Sequence, residues 1–235
     1  MDNSEIARRF ITLTTAHLAD ACIRAGLPAR CAPSSLQSVL AHGHLAGRVV
    51  PAQHSGSVDI FLEAINSTVH GDVLVVDNGG RTDEACVGDL MIHEAHGAGL
   101  GGVVIWGLHR DSADVASIGL PVFSMGAIPT GPVVLRPRPE DALESAHVGE
   151  WRLSRDDLVF GDDDGVLFVP AHRIEEIFSL AESIRDTERH QADRIRSGNS
   201  LREQLHFDEY LAKRQANPEL GLREHLRSVG GEIEV

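Results

Sequence analysis

Asp89, Arg110 and Asp111 are the residues of this chain whose types and spacing could do chemistry together. They bracket GDLMIHEAHGAGLGGVVIWGLHRD, residues 88 to 111. Two carboxylates beside a guanidinium can hold a divalent cation through oxygen and an anionic ligand through charged N–H groups. The elements between them decide whether they meet. Asp89 follows Gly88 at the start of an amphipathic helix through Leu90, Met91, Ala95 and Ala98, which breaks in Gly97, Gly99, Gly101 and Gly102. Val103 to Trp106 reads as a buried strand, with Arg110 and Asp111 just past its end. A helix of about nine residues rises about 14 Å, and a strand of about five covers about 17 Å on the return. The helix start and the strand end therefore share one sheet edge, beside the free N–H groups of a helix N-terminus. On spacing alone, a helix cap with a surface ion pair fits the same residues.

Other motifs carry less. Gly97-x-Gly99-x-x-Gly102 has the letters of a dinucleotide fingerprint, but a helix precedes it and a strand follows, the reverse of what that site needs. It reads as a helix end and a tight turn. His93 and His96 in HEAH are three apart, whereas the zinc-protease motif spaces its histidines by four, so they read as surface histidines. Asp162-Asp163-Asp164-Gly165 lacks the alternating ligands and distant Glu of a calcium loop and reads as a β-turn.

Composition narrows the class. The formal net charge of −14 argues against binding to nucleic-acid phosphates, and 4% aromatic residues offer no stacking platform. A 42% hydrophobic content in 235 residues supports one large domain with appendages. Cys22, Cys31 and Cys86 are odd in number and lack metal spacing, so a reducing, cytoplasmic compartment is expected. No apolar run reaches the ~18 residues of a membrane span, and no membrane partner is expected.

The elements that must position the site follow from periodicity. Residues 4 to 26 read as one helix closed by Gly26 and Pro28, and 29 to 44 as loop. Leu45 to Ala52 reads as a strand, Asp59 to Val69 as a helix, and Val73 to Val76 as a buried strand. Pro121 to Ser124 and Pro132 to Leu135 are short apolar runs. Leu158 to Phe160 and Val166 to Val169 flank the GDDDG turn as a hairpin. Arg173 to Ser197 reads as a long helix, with short helices near Tyr210 and Leu226. The class is α/β.

Asp89, twenty intervening residues, then Arg110-Asp111 is similar to the D-x20-R-D signature of class II pyruvate aldolases of the 4-hydroxy-4-methyl-2-oxoglutarate / 4-carboxy-4-hydroxy-2-oxoadipate type, in the RraA-like family. HGDVLVVDNGG (70–80), GGVVIWGLHRD (101–111), LPVFSMGAIPTGP (120–132) and LVFGDDDGVLFVPAHRIEEI (158–177) resemble its strands, hairpin and following helix, over most of residues 12 to 190. The resemblance implies a swivelling β/β/α core with a helical N-terminal segment and a C-terminal helical extension. It implies a catalytic domain over 1–200, a tail over 201–235 packed on the core or a neighbour, and a homotrimer or homohexamer with sites between subunits. It also implies Mg²⁺ or Mn²⁺ bound directly by Asp111. Arg110 would bind the keto or enolate oxygen. Asp89 would hold a water on the metal. The N–H groups of Gly88, Asp89, Leu90 and Met91 would hold the carboxylate, and Glu188 of a neighbouring copy would reach the site. The implied activity is retro-aldol cleavage of a 4-hydroxy-2-oxo acid to pyruvate through an enolate, with oxaloacetate decarboxylation beside it. Trp106 is bulky for a position near such a site and fits packing at a strand end; His109 and Met125 lie nearby in sequence. The family's namesake inhibits a ribonuclease by binding its protein scaffold, so a non-catalytic regulator is the alternative.

Overall fold

A computed structural model of the chain describes residues 1–229; the closing GEIEV and the Gly before it, 230–235, lie outside the described residues. The elements run α1 (Asn3–Phe10), α2 (Thr15–Arg24), β1 (Arg30–Cys31), β2 (Gln37–Ser38), β3 (Leu45–Gln53), α3 (Asp59–Ile65), β4 (Val73–Asp77), β5 (Ala85–Val87) and α4 (Asp89–Gly97). They continue with β6 (Gly102–Trp106), β7 (Leu108–His109), α5 (Ser112–Ile118), β8 (Val122–Ser124), β9 (Ala146–Val148), β10 (Trp151–Leu153), β11 (Asp157–Asp162) and β12 (Gly165–Pro170). A short 3-10 turn (Ala171–Arg173) leads into α6 (Ile174–Arg196), α7 (Leu201–Gln204), α8 (Phe207–Ala216) and α9 (Leu222–Val229).

One eight-stranded sheet has the order β1-β12-β11-β3-β4-β6-β8-β2. Its centre, β3-β4-β6-β8, is parallel and built from three crossovers through α3, α4 and α5. Such strands are buried on both faces, which is why VLVVD and GVVIW are nearly unbroken apolar runs. Alternate side chains serve different layers. Val50, Leu74, Val76, Val103 and Ile105 pack under α3, α4 and α5. Val49, Val73, Val75 and Val104 face the other way, against the β9–β10 hairpin. The register Leu158↔Arg48 and Phe160↔Ala46 keeps Leu158 and Phe160 on the helix-covered face, where α1, α2 and α6 close over them. The expected β/β/α layering is therefore present: hairpin, main sheet, helices.

Two local expectations are corrected. Residues 4 to 26 form two helices, not one. Thr14 and His17 close a capping box, and Asp162, from the far hairpin, accepts from Thr15 N and Oγ1, both at 2.7 Å. Caps, not Gly or Pro, set this boundary. The stretch 29 to 44 holds the short edge strands β1 and β2. The apolar run Pro132 to Leu135 forms an irregular strap in which Val133, Val134 and Leu135 are 85%, 57% and 72% exposed. The hairpin at Asp162-Asp163-Asp164, the long α6 and helices around Tyr210 and Leu226 occur as expected. Among the described residues no helix is long and apolar enough to cross a membrane.

Candidate active site

The site forms at the C-terminal edge of the parallel strands, where open α/β sheets bind ligands. Here β6 does not run straight to Arg110. Gly107, at φ 157°, kinks the chain out of the sheet, and Leu108-His109 pairs with β5 as a separate two-stranded parallel ribbon. A side chain at Gly107 would meet Asn78 Cβ at 2.9 Å, so glycine is needed there. Arg110 thus leaves the end of β7, not of β6, and its N–H donates to Val87 O at 3.0 Å. That bond ties Arg110 to the residue before Gly88.

Gly88 is the N-cap of α4, and the Asp111 carboxylate lies against it. A Cβ at Gly88 would stand 2.6 Å from Asp111 Oδ2 and 3.2 Å from Arg110 Nε. Arg110 Nε is 3.3 Å from Asp111 Oδ2, with both side chains part-exposed. Met91 N donates to Gly88 O at 3.2 Å, which leaves the N–H groups of Asp89 and Leu90 as the orphans of the first turn. Gly88, Asp89, Leu90, Met91 and Arg110 line one cavity of about 180 Å³; Asp111 borders it through Gly88.

Asp111 is itself unusual. It sits in the left-handed region at φ 59°, ψ 40°, and as N-cap of α5 its side chain makes no capping bond. A left-handed residue other than glycine is strained by about 1–2 kcal/mol, and an Asp at this position normally caps the helix. Here the backbone is strained and the carboxylate is turned toward Gly88 instead.

The donor set suits a hard cation. Among the described residues no three or more His, Cys, Asp or Glu side chains gather as a metal cage. Mg²⁺ is typically held by one or two carboxylates and keeps its remaining ligands from water and substrate, which matches Asp111 with Asp89 nearby. The Asp111 side chain is 39% exposed, so its carboxylate is open to solvent.

The neighbours are chemically quiet. Cys86 lines the cavity, but burial pushes its thiol far up, so it is no thiolate nucleophile. His109 is 5% exposed and held on both ring nitrogens, Nδ1 to Ser124 Oγ at 2.7 Å and Nε2 to Ser112 Oγ at 2.9 Å. Burial pushes its pKa down, against the pull of the Gly126 backbone and Asp111, so it is neutral. Trp106 packs on Gly80, where a Cβ would be 2.9 Å from the indole ring. Met125 is not among the cavity's lining residues. His93 and His96 are exposed on α4. Glu188, on α6, pairs with His17 of its own chain, Oε2 to Nε2 at 3.0 Å, and does not line this cavity. Val58, before α3, and Pro132, on the strap, line the cavity without any sequence signal that marked them. Gly131 backs onto Arg110: a Cβ there would be 3.0 Å from Nη1.

The chain is similar to several known proteins. A Legionella pneumophila protein called Protein DlpA is 32% identical over 131 residues, 55% of this chain and 21% of that protein. A Shewanella oneidensis protein named as a candidate 4-hydroxy-4-methyl-2-oxoglutarate aldolase is 42% identical over 67 residues, 28% of this chain and 41% of that one. The matched region is thus well under half the length of these two. A Bacillus anthracis protein of the same name is 30% identical over 121 residues, 52% of this chain and 75% of its own. Among solved structures, an uncharacterized protein from Pseudomonas syringae pv. tomato superposes with TM-score 0.73 at 25% identity, over 85% of this chain and 96% of that one. Streptomyces coelicolor RraAS2, described as an unusual member of the RNase ES inhibitor RraA family, does so with TM-score 0.69 at 25% identity, over 79% and 94%. A profile of the RraA-like family matches residues 15–168, a span that takes in the whole cavity edge from Val58 to Pro132, and on it the chain belongs to the Aldolase/RraA family.

Proposed function

We propose that the chain is a divalent-metal-dependent lyase that cleaves a 4-hydroxy-2-oxo acid to pyruvate through an enolate, with oxaloacetate decarboxylation as a side activity. The observation that carries this is the meeting of the α4 N-terminus, Arg110 and Asp111 at one cavity. The N–H groups of Asp89 and Leu90 hold the substrate carboxylate, an anion at a helix N-terminus. Arg110 donates to the 2-oxo oxygen, where charge develops as the C3–C4 bond breaks. Asp89 takes the proton of the C4 hydroxyl, directly or through one water, as the new carbonyl forms. The electron pair of the broken bond passes to the enolate, which takes a proton at C3 to give pyruvate. Mg²⁺ or Mn²⁺, held by Asp111, supplies Lewis-acid stabilisation of the enolate charge when bound.

The reading extends to assembly. Leu90, at the mouth of the cavity, is 78% exposed, as is much of the strap around Val133. Apolar surface of this kind is normally covered. A homotrimer or homohexamer with the mouth at a subunit boundary would cover it, and Glu188 is the residue through which a neighbouring copy would reach the site. The same surface, with the likeness to the RraA fold, supports a second reading, a regulator that acts by protein binding.

Proton exchange at C3 of pyruvate in D2O tests the enzyme reading without needing the true substrate. We expect exchange with Mg²⁺, loss with EDTA, and loss in Asp111→Ala; pyruvate release from oxaloacetate should follow the same pattern. No exchange with any divalent metal would overturn the lyase and leave the binding protein.

A further inference from the structure

The left-handed backbone of Asp111 needs something to hold it. A residue stays in such a region only where its surroundings over-determine it. The Asp111 carboxylate supplies no capping bond. Backbone bonds act at the two ends of the turn: Arg110 N donates to Val87 O at 3.0 Å, and Asp111 O accepts from Val115 N at 2.9 Å. One side chain spans the turn between them. His109, the residue before Arg110, meets the Oγ of Ser112, the residue after Asp111, through Nε2 at 2.9 Å.

The imidazole is anchored in the body of the protein. His109 N donates to Gly126 O and His109 O accepts from Ile128 N, both at 3.0 Å. Nδ1 meets Ser124 Oγ at 2.7 Å, at the end of β8 in the main sheet. Ser124 sets the proton directions. Its hydroxyl donates to Gly126 O and accepts from Gly126 N, both at 3.3 Å, which leaves one lone pair for an N–H on Nδ1. With that proton on Nδ1, Nε2 is the acceptor and the Ser112 hydroxyl the donor. The ring is thus a rigid strut between a strand of the main sheet and the first residue of α5. His109 is 5% exposed and Ser124 2%. The anchored end of the strut therefore lies inside the chain and does not depend on what a neighbouring copy adds at the cavity mouth.

We propose that His109 is a positioning residue: its ring, strung between Ser124 and Ser112, holds the Arg110–Asp111 turn left-handed and keeps the Asp111 carboxylate facing Gly88. This rests on the reading of Asp111 as the cation ligand and names what sets that ligand's aim.

The test measures binding of Mn²⁺ alone, from the paramagnetic resonance of the free ion, and melting of the metal-free protein. The chains compared are wild type, Asp111→Ala, Ser112→Ala, His109→Asn and His109→Gln. The Asn amide falls near Nδ1 and can keep the bond to Ser124, whereas the Gln amide reaches the place of Nε2 and can keep the bond to Ser112. We expect wild type to bind Mn²⁺ and Asp111→Ala not to bind it. Ser112→Ala and His109→Asn should bind it about tenfold more weakly, the scale on which groups behind a metal ligand act. His109→Gln should bind it more tightly than His109→Asn. Metal-free Ser112→Ala should melt within about 4 °C of wild type. Wild-type affinity in Ser112→Ala, or His109→Gln no tighter than His109→Asn, would overturn the positioning role and leave Asp111 as the ligand. So would a larger fall in the melting temperature of Ser112→Ala, which would make the strut a matter of stability. Wild-type protein that binds no Mn²⁺, or binding that survives Asp111→Ala, would overturn the metal reading and this inference with it.

Discussion

The two ends of the main sheet are built to different standards. At the hairpin end, β11, β12, α1, α2 and α6 enclose Phe10, Phe160 and Phe178 in edge-to-face contact, at 5.1 and 5.8 Å between ring centres. Polar groups there are paired: Arg9 bridges Glu175 and Glu182 at 2.9 and 2.8 Å, and Asp162 caps α2. At the cavity end, Asp111 is strained, Leu90 and the strap are exposed, and a buried pair is half satisfied. His54 Nδ1 meets Asn78 Oδ1 at 2.9 Å, while His54 Nε2 and Asn78 Nδ2 have no partner among the described residues. The hairpin end has a left-handed side chain too, His42 at φ 56°, but there it is paired with Asp163, whereas at the cavity end the strained Asp111 carboxylate is left to meet a ligand.

Substitutions can break or sharpen that contrast. The largest effect belongs to the hairpin end: Phe178→Ala should cost about 3–5 kcal/mol in chemical denaturation, since the ring is fully buried among other rings. Asp111→Ala should behave the opposite way. It should remove roughly a hundredfold or more of the C3 exchange rate at a stability cost of no more than about 1 kcal/mol, because no capping bond is lost while alanine tolerates the left-handed backbone slightly less well than aspartate. A matching drop in stability would dissolve the distinction between the two ends. Gly88→Ala should slow exchange about tenfold with little change in melting temperature. Its φ of −131° suits alanine, but the new methyl would press on Asp111 and Arg110. Asp162→Ala should cost about 1 kcal/mol, the usual worth of an N-cap, with exchange intact.

The smallest effect is acid sensitivity. Burial holds the pKa values of His44 and His54 below 6.5 in the folded chain. Above about pH 6.5 both states leave these rings neutral and the stability is complete. As pH falls below that value the unfolded chain takes up protons first, so stability declines toward the depressed folded values. A melting temperature that falls from pH 7 to pH 5, by less in His54→Phe, would bear this out. An identical slope in that variant would remove His54 from the account.

Much of this was legible in the sequence, for identifiable reasons. Central strands announce themselves as apolar runs, and counting helix rise against strand return brings Asp89, Arg110 and Asp111 to one sheet edge, although it mounts Arg110 on β6 and not on β7. The break between α1 and α2 was hidden because Ile11 and Leu13 continue the apolar period. The stop is made by Thr14 with His17 and by Asp162, which is distant in the chain. The β5–β7 ribbon was hidden for a related reason. Two residues, Leu108 and His109, carry no periodicity, and their pairing exists only because Gly107 turns the chain toward β5. Val58 and Pro132 reach the cavity from segments without a repeating pattern, so their placement is a tertiary fact.

That ribbon has a consequence for precision. The helix N-terminus and the guanidinium are mounted on strands that pair with each other outside the main sheet, with β7 also bridged to Ala127, and the Arg110–Val87 bond links them directly. Thermal displacement of the ribbon therefore carries both groups together, as two instruments bolted to one bench move together when the floor shakes. The distance between anchor and guanidinium is insulated from the breathing of the sheet, and alignment can survive motion that would scatter groups mounted on separate supports.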